Sequence, residues 1–188
     1  MKDRQSDSVS LDRSSFLNLV TGMAGEDIQK CYQCIKCAAG CPIAEAMDYL
    51  PNQIIRMIQL GLKEDVLTSS TIWLCASCET CAVRCPMQLD LARVMDSLRE
   101  IAIKEDVSVP EKNIAIFHRE FLSSVRNRGR VHEFSQLVGY KMKAKELFSD
   151  IGLGMRLLAK GRLALKPSRV DRVDQVQALF EVTEVRSD

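Results

Sequence analysis

Apolar residues recur every three or four positions along much of this chain, the spacing that places side chains on one face of an α-helix. The first such stretch covers residues 11–28 and follows a polar segment, residues 1–10, which is predicted to be mobile. A second helix is predicted from Pro51, which suits a first helical position, to Gly61, which suits the C-terminal cap. A short turn is predicted to follow it, over residues 63–70.

The same period continues through the C-terminal half of the chain. A stripe of apolar residues after Asp90 predicts an amphipathic helix of about four turns. Ser108 is predicted to cap the next helix, with Pro110 in its first turn. Further helices are predicted over residues 114–125, 134–142, 153–158 and 170–180, with a basic, extended arm over residues 160–172.

These patterns, together with few aromatic residues, predict an all-α chain. No apolar stretch approaches the roughly 20 residues that span a bilayer, and the N-terminus lacks the apolar core of an export signal. We therefore expect a cytoplasmic protein with no direct membrane span. The predicted organisation is a mobile N-terminus (1–10), a main helical domain (11–106), a helical part packed on it (107–159), and a basic arm with a short helix that contacts a partner (160–188).

Charge is spread unevenly, although the net charge is only +1. Residues 1–111 contain 11 Lys and Arg against 16 Asp and Glu, whereas residues 112–172 contain 14 against 5. Either the basic part consists of solvated helix faces, or it is a docking surface for an acidic partner. Nucleic acid is not expected as a partner, because the stretch has no recognised binding motif and no regular array of aromatic residues.

The eight cysteines fall into two runs, CYQCIKCAAGCP from Cys31 and CASCETCAVRCP from Cys75. Both runs have the spacing C-x2-C-x2-C-x3-C-P, a known way of presenting thiolates to [4Fe–4S] clusters. In two-cluster ferredoxins the first three cysteines of a run ligate one cluster and the fourth ligates the other. The sequence therefore predicts two [4Fe–4S] clusters, one held by Cys31, Cys34, Cys37 and Cys85, and the other by Cys75, Cys78, Cys81 and Cys41.

Other uses of these cysteines are less consistent with the pattern. A zinc site needs pairs of cysteines with a further pair or with histidines, and the two histidines, His118 and His132, lie far downstream, where surface or helix contacts are expected. A disulfide framework is typical of short secreted chains. A zinc-bound form remains the alternative.

The 33 residues between Cys41 and Cys75 bear on the fold. Small bacterial ferredoxins connect their two cysteine runs through short β-structure, but here the connection is predicted to be helical. This difference points to an α-helical ferredoxin module, in which helices flank both clusters. Backbone N–H groups in the turns at residues 38–40 and 82–84 are candidate donors to sulfur.

The runs CYQCIKCAAGCP and IWLCASCETCAVRCP, the segment RNRGRVHE from Arg126, and the length resemble the C subunits of heterodisulfide reductases. The resemblance covers residues 14–182. Iron–sulfur subunits of succinate dehydrogenase and fumarate reductase, and C subunits of glycerol-3-phosphate dehydrogenase, use related modules. In one respect the chain departs from the family: Ile35 and Lys36 stand where a glycine and a small polar residue are expected.

The resemblance implies an electron-transfer subunit that relays single electrons from a flavin-containing, HdrA-like subunit to a disulfide-reducing, HdrB-like subunit. The sequence shows no phosphate-binding loop, dinucleotide fingerprint or nucleophile placed with a base, so the chain alone is not expected to be an enzyme. Two alternatives remain: a subunit of another respiratory or quinone-linked oxidoreductase, and an iron–sulfur redox sensor.

Overall fold

The computed structural model describes residues 4–144, 151–161 and 167–183, and this part of the chain contains helices and turns but no strand. The all-α prediction is therefore confirmed for the described residues. Two short 3₁₀ turns, Ile28–Lys30 and Ala44–Ala46, accompany the α-helices. The helices are α1 (Arg4–Ala24), α2 (Lys36–Ala39), α3 (Pro51–Leu60), α4 (Lys63–Leu67), α5 (Thr71–Leu74), α6 (Thr80–Arg84), α7 (Leu91–Lys104), α8 (Lys112–Arg128), α9 (Glu133–Ala144), α10 (Ile151–Ala159) and α11 (Val173–Thr183).

The chain divides into two compact units, Met1–Glu111 and Lys112–Asp188. The core of the first unit lies where α1 packs against α3 and α7. The predicted apolar stripes are the faces that these helices bury. The buried core residues include Phe16 and Val20 of α1, Ile54, Ile55 and Ile58 of α3, and Val94, Met95 and Leu98 of α7.

Helices α3 and α7 begin and end as their sequences predict. Pro51 is the first residue of α3, where its missing N–H costs nothing, and Gly61 ends the helix in the left-handed conformation with φ +73°. Asp90 caps α7, because its carboxylate accepts the backbone N–H of Arg93 at 3.0 Å. These two helices place the site described below.

Several predicted helix boundaries are wrong. Helix α1 begins at Arg4 rather than at residue 11 and ends at Ala24 rather than at residue 28, because Gly25 has φ +67° and Ile28 belongs to a separate 3₁₀ turn. The expected turn after Gly61 contains α4. Helix α8 begins at Lys112, so Ser108 is not its cap and Pro110 does not lie in its first turn.

In the second unit, α8 packs against both α9 and α11. The backbone N–H of Val170 donates to the carbonyl of Arg128 at 3.0 Å, which fixes the chain just before α11. Gly129 has φ +75°, and a Cβ there would lie 2.0 Å from Val170 Cγ2, so only glycine fits. The last helix begins at Val173 rather than at residue 170, and Val173 is buried.

His132 lies at the start of α9 and is buried rather than at the surface. Its Nδ1 accepts the backbone N–H of Ser135 at 3.3 Å, as a helix cap does, and its own N–H donates to Ser124 Oγ at 3.1 Å. Of the two expectations for this residue, the helix contact is confirmed and the surface position is wrong.

Among the described residues, no helix is long and apolar enough to cross a membrane.

Candidate metal centre

The two cysteine runs fold alike. A helical turn precedes each run, and each contains a short helix, α2 in the first and α6 in the second. The residues two and four places after the first cysteine adopt positive φ in both: Gln33 (62°) and Ile35 (66°), then Ser77 (47°) and Glu79 (59°). Non-glycine residues in this region are strained, and such strain is concentrated at functional loops. Backbone that alternates in this way makes concavities of N–H groups that hold anions and iron–sulfur sites.

Backbone N–H groups contact several of the thiols. Burial raises the pKa of the Cys37 thiol, and the N–H of Ala38 acts against that rise by donating to it. Burial likewise raises the pKa of Cys81 to about 11, and the N–H of Ala82 opposes it. Both amides belong to the turns predicted to supply donors to sulfur. They are placed to stabilise negative charge on sulfur once the proton has left.

Cys78 differs from these two because it is exposed. The hydroxyl of Thr80, 3.4 Å from its sulfur, and the backbone N–H of the same residue lower the pKa of the Cys78 thiol. Cys34, which has the equivalent place in the first run, is also exposed, and the other six cysteines are half-buried. In each run the second cysteine is therefore the ligand candidate nearest to solvent.

The eight cysteines line two separate cavities, four in each. One cavity contains Cys31, Cys34, Cys37 and Cys85, and the other contains Cys41, Cys75, Cys78 and Cys81. Each cavity thus joins the first three cysteines of one run to the last cysteine of the other run. We name the cavity with Cys31 the first site and the cavity with Cys75 the second site.

The walls of both sites are largely apolar, and one residue is shared. Leu91, the first residue of α7, lines both cavities. Ile55 and Leu89 complete the first site, while Met47 and Met95 help to close the second. These side chains give the half-buried sulfurs apolar surroundings, and Leu91 places the two sites next to each other.

The residues present fit [4Fe–4S] clusters. All eight thiols are free. Among the described residues, no three Cys, His, Asp or Glu side chains converge as the ligands of a single metal ion do. Four thiolates around one cavity are the ligand set of a [4Fe–4S] cluster, in which each binds a different iron. In the first site the side-chain amide of Asn52 lines the cavity, and its Nδ2 donates to Gln33 Oε1 at 3.3 Å.

Two further side chains support the runs, and the sequence analysis missed both. Gln59 of α3 donates from Nε2 to the carbonyls of Ile28 (3.0 Å) and Cys31 (3.1 Å). Arg99 of α7 donates to the carbonyls of Ile72 and Cys75, each at 2.5 Å. One signal in the sequence could have revealed them. The residues that α3 and α7 bury recur 40 positions apart, and Gln59 and Arg99 are also 40 positions apart.

Asp48, which follows the first cysteine run, is hydrogen-bonded to the segment that leads into the second run. Its carboxylate accepts backbone N–H groups of Ser70 (2.8 Å) and Thr71 (2.9 Å) at the start of α5, and that of Tyr49 at 3.0 Å. Burial acts to raise the pKa of this carboxyl, but hydrogen bonds from the Thr71 hydroxyl and the three amides outweigh it and lower the pKa. The ionised form of Asp48 therefore stabilises the fold.

Replacing Asp48 with Asn should lower the free energy of unfolding at neutral pH by about 1 kcal/mol, because the amide cannot accept all of these bonds and carries no charge. A lowered pKa means that the contribution is present above the unfolded-state value of about 3.9 and is lost as pH falls through the folded-state value. The free energies of unfolding of the wild type and of Asp48→Asn are measured by anaerobic chemical denaturation. The difference between them should be constant above about pH 5 and become smaller below about pH 4. Asp65→Asn in α4 is the control, and an equal loss in both variants would contradict the assigned role.

Comparison with known proteins agrees with this geometry. Residues 27–89, which include both runs, match the family described as 4Fe-4S dicluster domain. The chain is 38% identical over 109 residues to an iron-sulfur C subunit of the CoB–CoM heterodisulfide reductase of Methanocaldococcus jannaschii, covering 56% of this chain and 55% of that protein. It is 28% identical over 153 residues to the corresponding iron-sulfur C subunit of Methanopyrus kandleri (64% and 80%). It is 32% identical over 138 residues to the C subunit of the Ferredoxin:CoB-CoM heterodisulfide reductase of Methanosarcina acetivorans (69% and 56%).

These similarities confirm the resemblance to heterodisulfide reductase C subunits, and they confirm two [4Fe–4S] clusters as the cofactors of the chain. The chain spans little more than half the length of two of these three relatives.

Proposed function

We propose that this chain, a relative of heterodisulfide reductase C subunits with a 4Fe-4S dicluster domain, is the electron-transfer subunit of a heterodisulfide reductase complex. It would take single electrons from an HdrA-like flavoprotein subunit and pass them to an HdrB-like subunit that reduces the disulfide. The observation that carries the proposal is the pair of four-cysteine cavities separated by Leu91. Two adjacent one-electron carriers are what a relay needs.

The grouping of thiols in the two cavities supports an assignment of ligands. Cys31, Cys34, Cys37 and Cys85 would hold the cluster of the first site, and Cys75, Cys78, Cys81 and Cys41 would hold that of the second. When bound, each cluster supplies a centre that accepts and returns one electron. The helical fold of the described residues and the match to the dicluster family support the helical ferredoxin module expected from the sequence.

The surrounding residues bind and orient rather than react. Backbone N–H groups of Ala38 and Ala82 donate to the sulfurs of Cys37 and Cys81, which favours their deprotonated, ligating form. The apolar walls, among them Leu91 and Met95, shield the half-buried sulfurs. Because every cysteine is used as a ligand, none is left for thiol–disulfide exchange, which requires a free thiolate. Disulfide chemistry therefore belongs to the partner.

The test is electron delivery from the flavoprotein. The cluster-loaded chain is mixed without oxygen with a reduced HdrA-like flavoprotein subunit, and cluster absorbance is followed by stopped flow. We expect rapid bleaching of the visible absorbance, together with a stable complex of the two proteins. A Cys78→Ser variant, which loses a ligand of the second site, is the control and should show a smaller amplitude. If dithionite bleaches the chain but the reduced flavoprotein does not, the proposed donor is wrong.

A further inference from the structure

The first unit contains an internal repeat that is nearly exact at the two sites. The cysteine runs are related by an offset of 44 positions, and the helices that follow them, α3 and α7, by an offset of 40. Matched residues of these helices are equally buried: Ile54 with Val94, Ile55 with Met95, and Ile58 with Leu98. Differences between matched positions therefore show where the two sites have been made unlike each other.

The clearest such difference lies at the hydrogen bonds that support each run. Gln59 and Arg99 are matched residues, and each donates to the carbonyl of the first cysteine of a run and to the carbonyl three residues before it. The bonding geometry is the same, but Gln59 is neutral and Arg99 carries a positive charge. A purely structural need for two donors is met by glutamine in the first site, so it does not explain the arginine in the second.

We propose that this pair sets the two clusters apart in reduction potential, with Arg99 making the cluster of the second site the easier one to reduce. The inference rests on the proposed function and on its assignment of ligands. An added electron makes a cluster more negative, and a nearby cation stabilises that state. In the relay, the first cluster would lose one electron and the second would gain it, and Arg99 favours that direction.

The charge of Arg99 is placed to act strongly. Its side chain is only 12% exposed, so solvent screens it little. It also lies at the site itself, because its Nη2 donates to the carbonyl of Cys75. Asp96, which pairs with Arg99 at 2.8 Å, is 58% exposed and neutralises it only in part.

Exposed charges around the runs act in the opposite direction but are screened. Lys36 lies in the first run, and Arg56 donates to Gln59 Oε1 at 3.1 Å, whereas Glu79 lies in the second run. All three are exposed, and interactions between exposed charges are weak at physiological salt.

Arg84 belongs to the second run and lies against the first: a Cβ on Gly40 would lie 2.5 Å from its Nη1. Its charge therefore does not belong to one run alone.

The test is an anaerobic redox titration of the full chain with both clusters, followed by electron paramagnetic resonance. In the wild type, the signal of the second site should develop at the higher potential. Arg99→Gln should lower that midpoint so that the ratio of reduced to oxidised second cluster falls about tenfold at a fixed potential, equivalent to about 59 mV. The first site should not change. Gln59→Arg should raise the midpoint of the first site and leave the second unchanged.

Matched controls separate charge from structure. Arg99→Lys keeps the charge and should keep the midpoint near the wild-type value, while Arg93→Gln removes an exposed arginine from the same helix and should shift neither midpoint. The proposal is overturned if the wild-type order is reversed, or if Arg99→Gln shifts the midpoint no more than Arg93→Gln does. If Arg99→Gln does not fold, Gln59→Arg decides alone, and an unmoved first site overturns the proposal. A wild-type chain that holds fewer than two clusters overturns the proposed function itself, whereas two clusters with unaltered midpoints overturn only this inference.

Discussion

Replacing Cys85 with serine should damage the cluster of the first site, although Cys85 belongs to the second sequence run. The cavity that contains Cys31, Cys34 and Cys37 takes its fourth thiol from Cys85. Cys85→Ser and Cys34→Ser should therefore remove or alter the same paramagnetic species, and each variant should lose up to about half of the bound iron, since one cluster of the two is affected. The measurement is electron paramagnetic resonance of the dithionite-reduced protein, together with iron and sulfide analysis.

The matched experiment exchanges the two sites. Cys41→Ser should reproduce the spectrum of Cys78→Ser, because Cys41 lines the cavity of the second run. Serine is close to cysteine in volume and offers iron only a weaker oxygen ligand. The fold is therefore disturbed little, and the change in the spectrum reports on ligation. If Cys85→Ser instead affects the species that Cys78→Ser affects, ligation does not cross between the runs.

The isolated chain, with both clusters intact, should accept electrons from dithionite but should not reduce a heterodisulfide at a useful rate. Disulfide reduction needs two electrons and a group that attacks or binds the disulfide, whereas all eight cysteines line the two cluster cavities. Adding the HdrB-like subunit should restore turnover, and the expected effect is close to all or none. The measurement is thiol release under anaerobic conditions with a reduced viologen dye as donor.

Two controls sharpen this expectation. The HdrB-like subunit without the chain should turn over slowly, and the same protein with the Cys34→Ser chain should stay slow, because one of the two carriers is lost. Rapid disulfide reduction by the isolated chain would contradict the relay and would mean that it contains a substrate site of its own.

The sequence predicted the features that local chemistry controls. The doubled cysteine spacing indicated two clusters, and the cavities group the thiols as that spacing suggested. Proline at the start of α3, glycine at its end and the apolar stripe of α7 predicted helices whose bounds the structure reproduces. Each of these signals is a residue acting on its immediate neighbours in the chain.

The missed features depend on contacts between distant segments. Gln59 and Arg99 are ordinary polar residues on helix surfaces until folding brings them to the carbonyls of Cys31 and Cys75. Asp48 similarly reaches α5 across 22 residues. Ser108 has the composition of a cap, but the helix starts at Lys112, since propensity at a helix end is a weak signal against tertiary packing.

The exchange of one cysteine between the two runs also constrains how the protein is made. While the chain is being synthesised, the first run supplies three thiols to its site, and the fourth, Cys85, follows Cys41 by 44 residues. At ribosomal rates of about 5–20 residues per second, this interval lasts a few seconds. With the proposed ligands, the second site gains its last thiol at Cys81 and the first site only at Cys85. Neither site has four thiols until the second run has been made, so maturation machinery that delivers clusters to finished sites acts on both at nearly the same stage of synthesis.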